Sequence, residues 1–290
     1  MEKLRLLNLQ SSNLFLCKER KERTLKAQGA RKAKRGSKMI NISDEMQRFL
    51  ITTTFGYDLK SDDPCYIKLK KACSRRAYLD LARVVPYKFS VSQIDECKKK
   101  CEKEQEIKDF IESKGSFICC VEGLLINSRE SECSKTTISN VCSCAAKYKD
   151  DVFKAPFTFG MAQKWVNMYY KYLWLFSDTQ EFAAYLGIPE DLDMPIDSYI
   201  IDALFEEGIL SEKICNNPSN HFLNCLITTS RKKVKSDKRP SESVLKWSGW
   251  DDNVYIAVQK LIKEKCKAEN IHILKYENRL WMKQVIENEI

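Results

Sequence analysis

Apolar residues recur at every third or fourth position along most of this chain, and that period restricts what it can fold into. It is sharpest over residues 160–176, where Met161, Ala162, Trp165, Met168, Tyr169, Tyr172, Leu173 and Phe176 fall at helical spacing. The same period predicts helices over 43–52, 64–85 (stopping before Pro86), 92–114, 136–148, 179–186 and 195–207, the last with Pro195 near its first turn. Within 92–114 the expected inner stripe is Ile94, Cys97, Cys101, Ile107, Phe110 and Ile111, with Gly115 ending the helix. Two more helices follow, "WDDNVYIAVQKLIKEKC", capped by Asp251 or Asp252, and "ILKYENRLWMKQVIENEI". The run "SFICCVEGLLI" fits a helix or a strand equally. There is no internal repeat and no strand–helix alternation that would suggest a parallel sheet. With 43% hydrophobic residues, 13 Phe, 12 Tyr and 5 Trp, the chain can fill a core. The expected fold is all-α, a multi-helix globular bundle.

The net charge of +9 belongs to one end. Residues 1–38 carry 12 Lys/Arg against 3 Asp/Glu, so residues 39–290 balance at zero. Poor in apolar side chains, that first segment is expected to be a disordered basic tail ahead of a helical domain over 39–290. A subdivision into 39–150 and 151–290 is an option. A basic loop is expected over 228–245; its "RKKVKSDKRP" sets six positive residues against Asp237. Arg231, Lys232 and Lys233 head it as candidate phosphate contacts, the alternative being a solvated loop.

"LLNLQSSNLFL" is too short and too polar for a secretory signal, and no long apolar run could span a bilayer. The expectation is an intracellular, cytoplasmic protein with no membrane partner. The thirteen cysteines are then read as reduced thiols, many of them buried. A zinc site joining Cys97 and Cys101 to Cys142 and Cys144 has no C-x-x-C framework behind it, and His221 and His272 lack partners at ligand spacing. Neither metal nor cofactor is expected. Gly-rich phosphate loops and nucleophile-elbow motifs are missing as well. The adjacent acids Asp62/Asp63 and Asp251/Asp252 point to different sides of a helix and suit caps better than a nuclease.

One polar stripe stands out. On a helix, Lys164, Asn167 and Lys171 share a face at i, i+3 and i+7, with Gln163 beside them. Solvated lysines are the ordinary reading of such a face. Yet aromatic residues flank it closely, and an amine held away from water is how a lysine becomes a nucleophile. Phe159-Gly160 before the helix offers a tight entry whose free N–H groups could hold a phosphate.

The stretch Gly160-Met161-Ala162-Gln163-Lys164-Trp165-Val166-Asn167 resembles the second half of the helix–hairpin–helix motif of the DNA glycosylase superfamily, G-h-G-x-K-x-x-N. Met194-Pro195-Ile196-Asp197-Ser198 is similar to the segment carrying that superfamily's catalytic aspartate. The long gap between them looks closest to the archaeal 8-oxoguanine glycosylase branch. The segments holding Tyr255 and Gln259, and Glu277 to Trp281, are similar to the closing helices of such proteins. Ala162 stands in place of the motif's second glycine, and Phe157-Thr158-Phe159-Gly160 in place of its L-P-G-h-G turn.

The resemblance implies an all-α fold and a glycosylase or AP lyase that needs no cofactor. Lys164 would attack the sugar C1′ and Asp197 would stabilise positive charge or assist proton transfer. DNA would be held at Gly160, Gln163, Asn167 and Lys171, with the target base flipped out and stacked on Trp165 or Trp247. Two other readings stand beside it. One is a non-catalytic helical interaction protein, regulatory or defence-associated and of unknown partner, in which Lys164 and Asp197 are an ion pair or solvated residues. The other is sequence-indifferent nucleic-acid binding through the basic segments.

Overall fold

Helices make up all the regular structure among the residues that the computed structural model describes, 44–58, 66–100, 102–129, 131–177, 186–210 and 246–289. In chain order they are α1 (Asp44–Phe55), α2 (Ile67–Leu81), α3 (Val91–Lys100), α4 (Glu104–Ile126), α5 (Ser134–Ala146), α6 (Lys149–Val152), α7 (Phe159–Phe176) and α8 (Ser198–Glu206). A 3₁₀ turn (Trp247–Gly249), α9 (Asp252–Ala268) and α10 (Ile273–Glu289) complete the set. The all-α reading therefore holds. Among the described residues there is no strand, only an isolated antiparallel bridge between Tyr87 and Phe153. None of the described helices is long and apolar enough to cross a membrane.

The chain divides into two compact units, Met1–Tyr66 and Ile67–Ile290. The first contains α1. The second spans the boundary at 150/151, and helices from both sides of that point pack on α7. The tail over 1–38, the loop over 228–245 with Arg231, Lys232 and Lys233, the pair Asp62/Asp63, His221 and nearly all of the helix expected over 179–186 lie outside the described residues.

In the second unit α7 is the axis. It packs against α2, α5, α9 and the 3₁₀ turn, while α8 lies on α10. Every residue of α7 from Gly160 to Tyr170 is buried, as is Leu173. Trp165 is 0% exposed, its ring centroid lies 5.0 Å from that of Tyr78 and 5.9 Å from that of Phe117, and its Nε1 donates to the Ser74 carbonyl at 3.2 Å. A side chain so enclosed cannot stack on a nucleobase; it is core, which corrects one of the two stacking candidates. The other, Trp247, is half-buried in the 3₁₀ turn.

Two elements depart from the periodic reading. The helix expected over 92–114 is two helices, the first ending at Lys100 and the second starting at Glu104 after Lys103 at a left-handed φ of 52°; Cys101 of the expected stripe lies outside the described residues. Gly115 does not end the second of them: α4 continues through it to Ile126, taking in the ambiguous "SFICCVEGLLI". The break resets the helical phase. Ile107 and Phe110 are buried, Ile111 is 46% exposed, and α3 buries none of its residues. The cysteine reading also changes. Cys120 of α4 and Cys144 of α5 are placed as a disulfide pair, whereas Cys73, Cys97, Cys119, Cys133, Cys142 and Cys266 are free.

Candidate functional site

Thr158 starts α7. Its backbone is extended, and its Oγ1 accepts the Met161 N–H at 3.2 Å while donating to the Ser248 carbonyl. The Gly160 N–H donates to the Trp250 carbonyl at 2.9 Å, and that of Ala162 to the Thr158 carbonyl at 3.1 Å. The N–H groups of Gly160, Met161 and Ala162 are thus taken by the chain itself. Glycine is required here by close approach, since a Cβ at Gly160 would stand 2.0 Å from the Trp247 carbonyl oxygen. Gly160 is a packing glycine. The open phosphate cradle expected at this corner is filled by the 3₁₀ turn.

The polar stripe is not a wet edge either. Gln163 is 0%, Lys164 6% and Asn167 1% exposed. These side chains face an extended segment, residues 193–197, that leads into α8. Gln163 bonds Ile196 in both directions: its Nε2 donates to the Ile196 carbonyl at 2.9 Å and its Oε1 accepts the Ile196 N–H at 3.2 Å. Gln259 of α9 treats Met194 the same way, accepting its N–H at 2.9 Å and donating to its carbonyl at 2.7 Å. Two glutamines therefore supply the hydrogen bonds that a neighbouring strand would supply, and Pro195 between them has no N–H to satisfy.

At the end of this clamped segment, Asp197 caps α8, accepting the Ile200 N–H at 3.0 Å through Oδ1. That places the start of α8 at Ser198, later than expected, with Pro195 in the extended lead. The other carboxylate oxygen of Asp197 accepts from Lys164 Nζ at 2.8 Å, with the two side chains 20% and 7% exposed. Lys164 and Asp197 are in direct contact, not facing each other across a hollow. Two surface hollows of about 380 and 330 Å³ are lined by other residues, among them Asp109, Lys147 and Asp151 in the first and Asn127, Glu132 and Asn140 in the second.

Lys171, the last of the stripe, pairs with Glu277 of α10 at 2.5 Å; their side chains are 12% and 2% exposed. Lys164, Lys171, Asp197 and Glu277 thus form a cluster whose formal charges cancel, Lys164 and Glu277 buried and Lys171 and Asp197 half-buried. Of the residues expected to meet DNA, Gln163 spends both polar atoms on the chain itself, Asn167 spends its Nδ2 there while its buried Oδ1 has no hydrogen-bond partner among the described residues, and Lys171 is committed to Glu277.

Glu277 has the clearest electrostatic signature. Burial pushes its carboxyl above the ordinary value of 4.5, Lys171 and Lys164 oppose the rise, and Asp197 adds to it. A group whose folded pKa is raised stabilises the fold fully below its unfolded value, and that stabilisation is lost as pH rises through the folded value. Wild type should therefore gain stability relative to Glu277→Gln as pH is lowered from 7 towards 5. Urea unfolding of both proteins at the two pH values measures this. An unchanged difference would mean that Glu277 titrates as in water.

Tyr255, Asp193, Gln259 and Glu277 were assigned no role by sequence reasoning. Resemblance marked the segments of Tyr255, Gln259 and Glu277, but nothing in their spacing shows which of these side chains turns towards residues 193–197. No group of three His, Cys, Asp or Glu among the described residues is placed to hold a metal ion. No protein-family model, curated protein or solved structure matches this chain.

Proposed function

We propose that this protein is a DNA-repair-like glycosylase and AP lyase that acts on a flipped base through Lys164 and Asp197. The observation that carries the reading is the meeting of two short motifs 33 residues apart, with Lys164 Nζ 2.8 Å from Asp197 Oδ2 and that carboxylate heading a helix. Each side chain then has a chemical role. A lysine attacks only as the free amine, and the carboxylate in contact with it is placed to accept the proton that Lys164 must lose. The amine then bonds to the sugar C1′ as the C1′–N bond breaks; the base takes both electrons of that bond and a proton from the new secondary ammonium, and the proton held on Asp197 passes to O4′ as the ring opens, leaving a protonated imine between Nζ and C1′. Entry is from the Asp197 side, the more exposed of the pair.

Borohydride trapping on DNA containing an abasic site or 8-oxoguanine tests this. Hydride reduces the imine to a stable amine, so the wild type should become covalently attached to DNA and Lys164→Ala should not. Equal trapping by both proteins, or none by either, removes the catalytic reading.

One observation favours a second reading, a non-catalytic helical interaction protein in which the pair is a structural tie. The corner at Gly160 is closed by the 3₁₀ turn, leaving no anion cradle where the motif would hold a phosphate. On that reading Lys164→Ala changes stability and DNA is left untouched.

A further inference from the structure

A hydrogen-bonded chain of side chains runs from the surface to the segment that presents Asp197. Lys263 of α9 contacts Asp191 and Asp193, each at 2.7 Å, with Asp191 74% and Asp193 8% exposed at the side chain. Asp193 accepts the Tyr255 hydroxyl at 2.6 Å. That hydroxyl accepts in turn from Asn167 Nδ2 at 2.9 Å, and Asn167 reaches Gln163 Oε1 at 3.2 Å. Gln163 holds both backbone groups of Ile196, the residue before Asp197. Every member inward of Lys263 is buried.

Tyr255 is the joint of this chain. Its hydroxyl donates to Asp193 at the start of the 193–197 segment and accepts from Asn167 of the α7 stripe, which also reaches the Met194 carbonyl at 3.4 Å, and its ring lies against Phe159 at 5.3 Å between centroids. A phenol buried this deeply needs partners for its oxygen, and here both partners belong to the machinery around Asp197.

We infer that Tyr255 is a positioning residue: its hydroxyl links Asp193 to Asn167 and so fixes the extended segment whose last residue holds Lys164. Its importance for chemistry rests on the catalytic reading above; its importance for the Lys164–Asp197 geometry does not.

Reductive methylation with formaldehyde and cyanoborohydride, followed lysine by lysine by mass spectrometry, reads the pair without DNA. In the wild type Lys164 should be among the slowest lysines to react. Tyr255→Phe keeps the ring and removes the oxygen that makes both linking hydrogen bonds; Lys164 should then react about tenfold faster, within the range expected for two net hydrogen bonds lost. Lys70, half-buried on α2 and bonded to the Ile126 carbonyl at 3.4 Å, lies outside the chain and serves as the control. Asp193→Asn, which can still accept from the hydroxyl while weakening the hold on Lys263, should move Lys164 in the same direction by a smaller factor.

Unchanged Lys164 reactivity in both variants, or an equal rise at Lys70, overturns the proposal. Selective exposure of Lys164 in a protein that never traps DNA would uphold the positioning role and discard the catalytic one. Where the wild type does trap, Tyr255→Phe should trap more slowly at equal DNA affinity.

Discussion

Asp197→Ala is expected to lower the free energy of unfolding by about 3–5 kcal/mol, a large effect for one substitution. Two losses combine. The Lys164 ammonium, on a side chain only 7% exposed, loses the carboxylate 2.8 Å away and is left as an uncompensated charge in the core. The first turn of α8 also loses the acceptor of the Ile200 N–H, a cap whose removal alone costs about 0.5–2 kcal/mol. Asp197→Asn separates the two losses, since asparagine caps a helix as well as aspartate does but carries no charge. It should recover the capping part and no more. Urea unfolding of the three proteins gives the comparison. A change under about 1 kcal/mol for Asp197→Ala, the range of an exposed ion pair, would show that water already reaches the lysine.

Trp165→Ala should cost a similar amount, about 3–5 kcal/mol, by a different cause. The indole is fully enclosed between Tyr78 and Phe117, and its removal opens a cavity that rings on α2 and α4 cannot both move to fill. The Ser74 carbonyl would also lose the donor that reaches it at 3.2 Å. Trp281→Ala is the matched control: its side chain is 39% exposed and should cost well under half as much. Equal effects at the two positions would place Trp165 nearer the surface than its packing indicates.

The sequence made the helices legible wherever packing and period agree. α7, α9 and α10 fall where apolar spacing puts them, and Asp251 caps α9 by accepting the Val254 N–H at 3.0 Å. Local chemistry failed where a residue does something its type does not advertise. Lys103 adopts a conformation usually left to glycine, so the break between α3 and α4 carries no glycine or proline signal. Gly115 meets nothing within 4 Å where a Cβ would stand, so it interrupts α4 no more than a surface residue does.

The candidate site was legible in part. The lysine and the aspartate were identifiable from short motifs, but their surroundings depend on long-range partners. Gly160 is closed by Trp247 and Trp250, far along the chain, and the amides of Gln163 and Asn167 find acceptors at Ile196 and Tyr255. An amphipathic pattern distinguishes polar from apolar faces, yet it does not say whether the polar face meets water or another buried polar group. Here it meets the latter. The expectation of a solvated stripe failed for that reason, as did that of a glycine corner open to phosphate.

The most direct measurement is to locate the covalent bond itself. After borohydride reduction of the wild type on abasic-site DNA, digestion and mass spectrometry should find the sugar remnant on the peptide containing Lys164 and on no other lysine. A remnant on the lysines of the N-terminal segment or of the 231–239 stretch, with the Lys164 peptide unmodified, would contradict a role for this amine and leave the Lys164–Asp197 contact as a structural tie between α7 and α8.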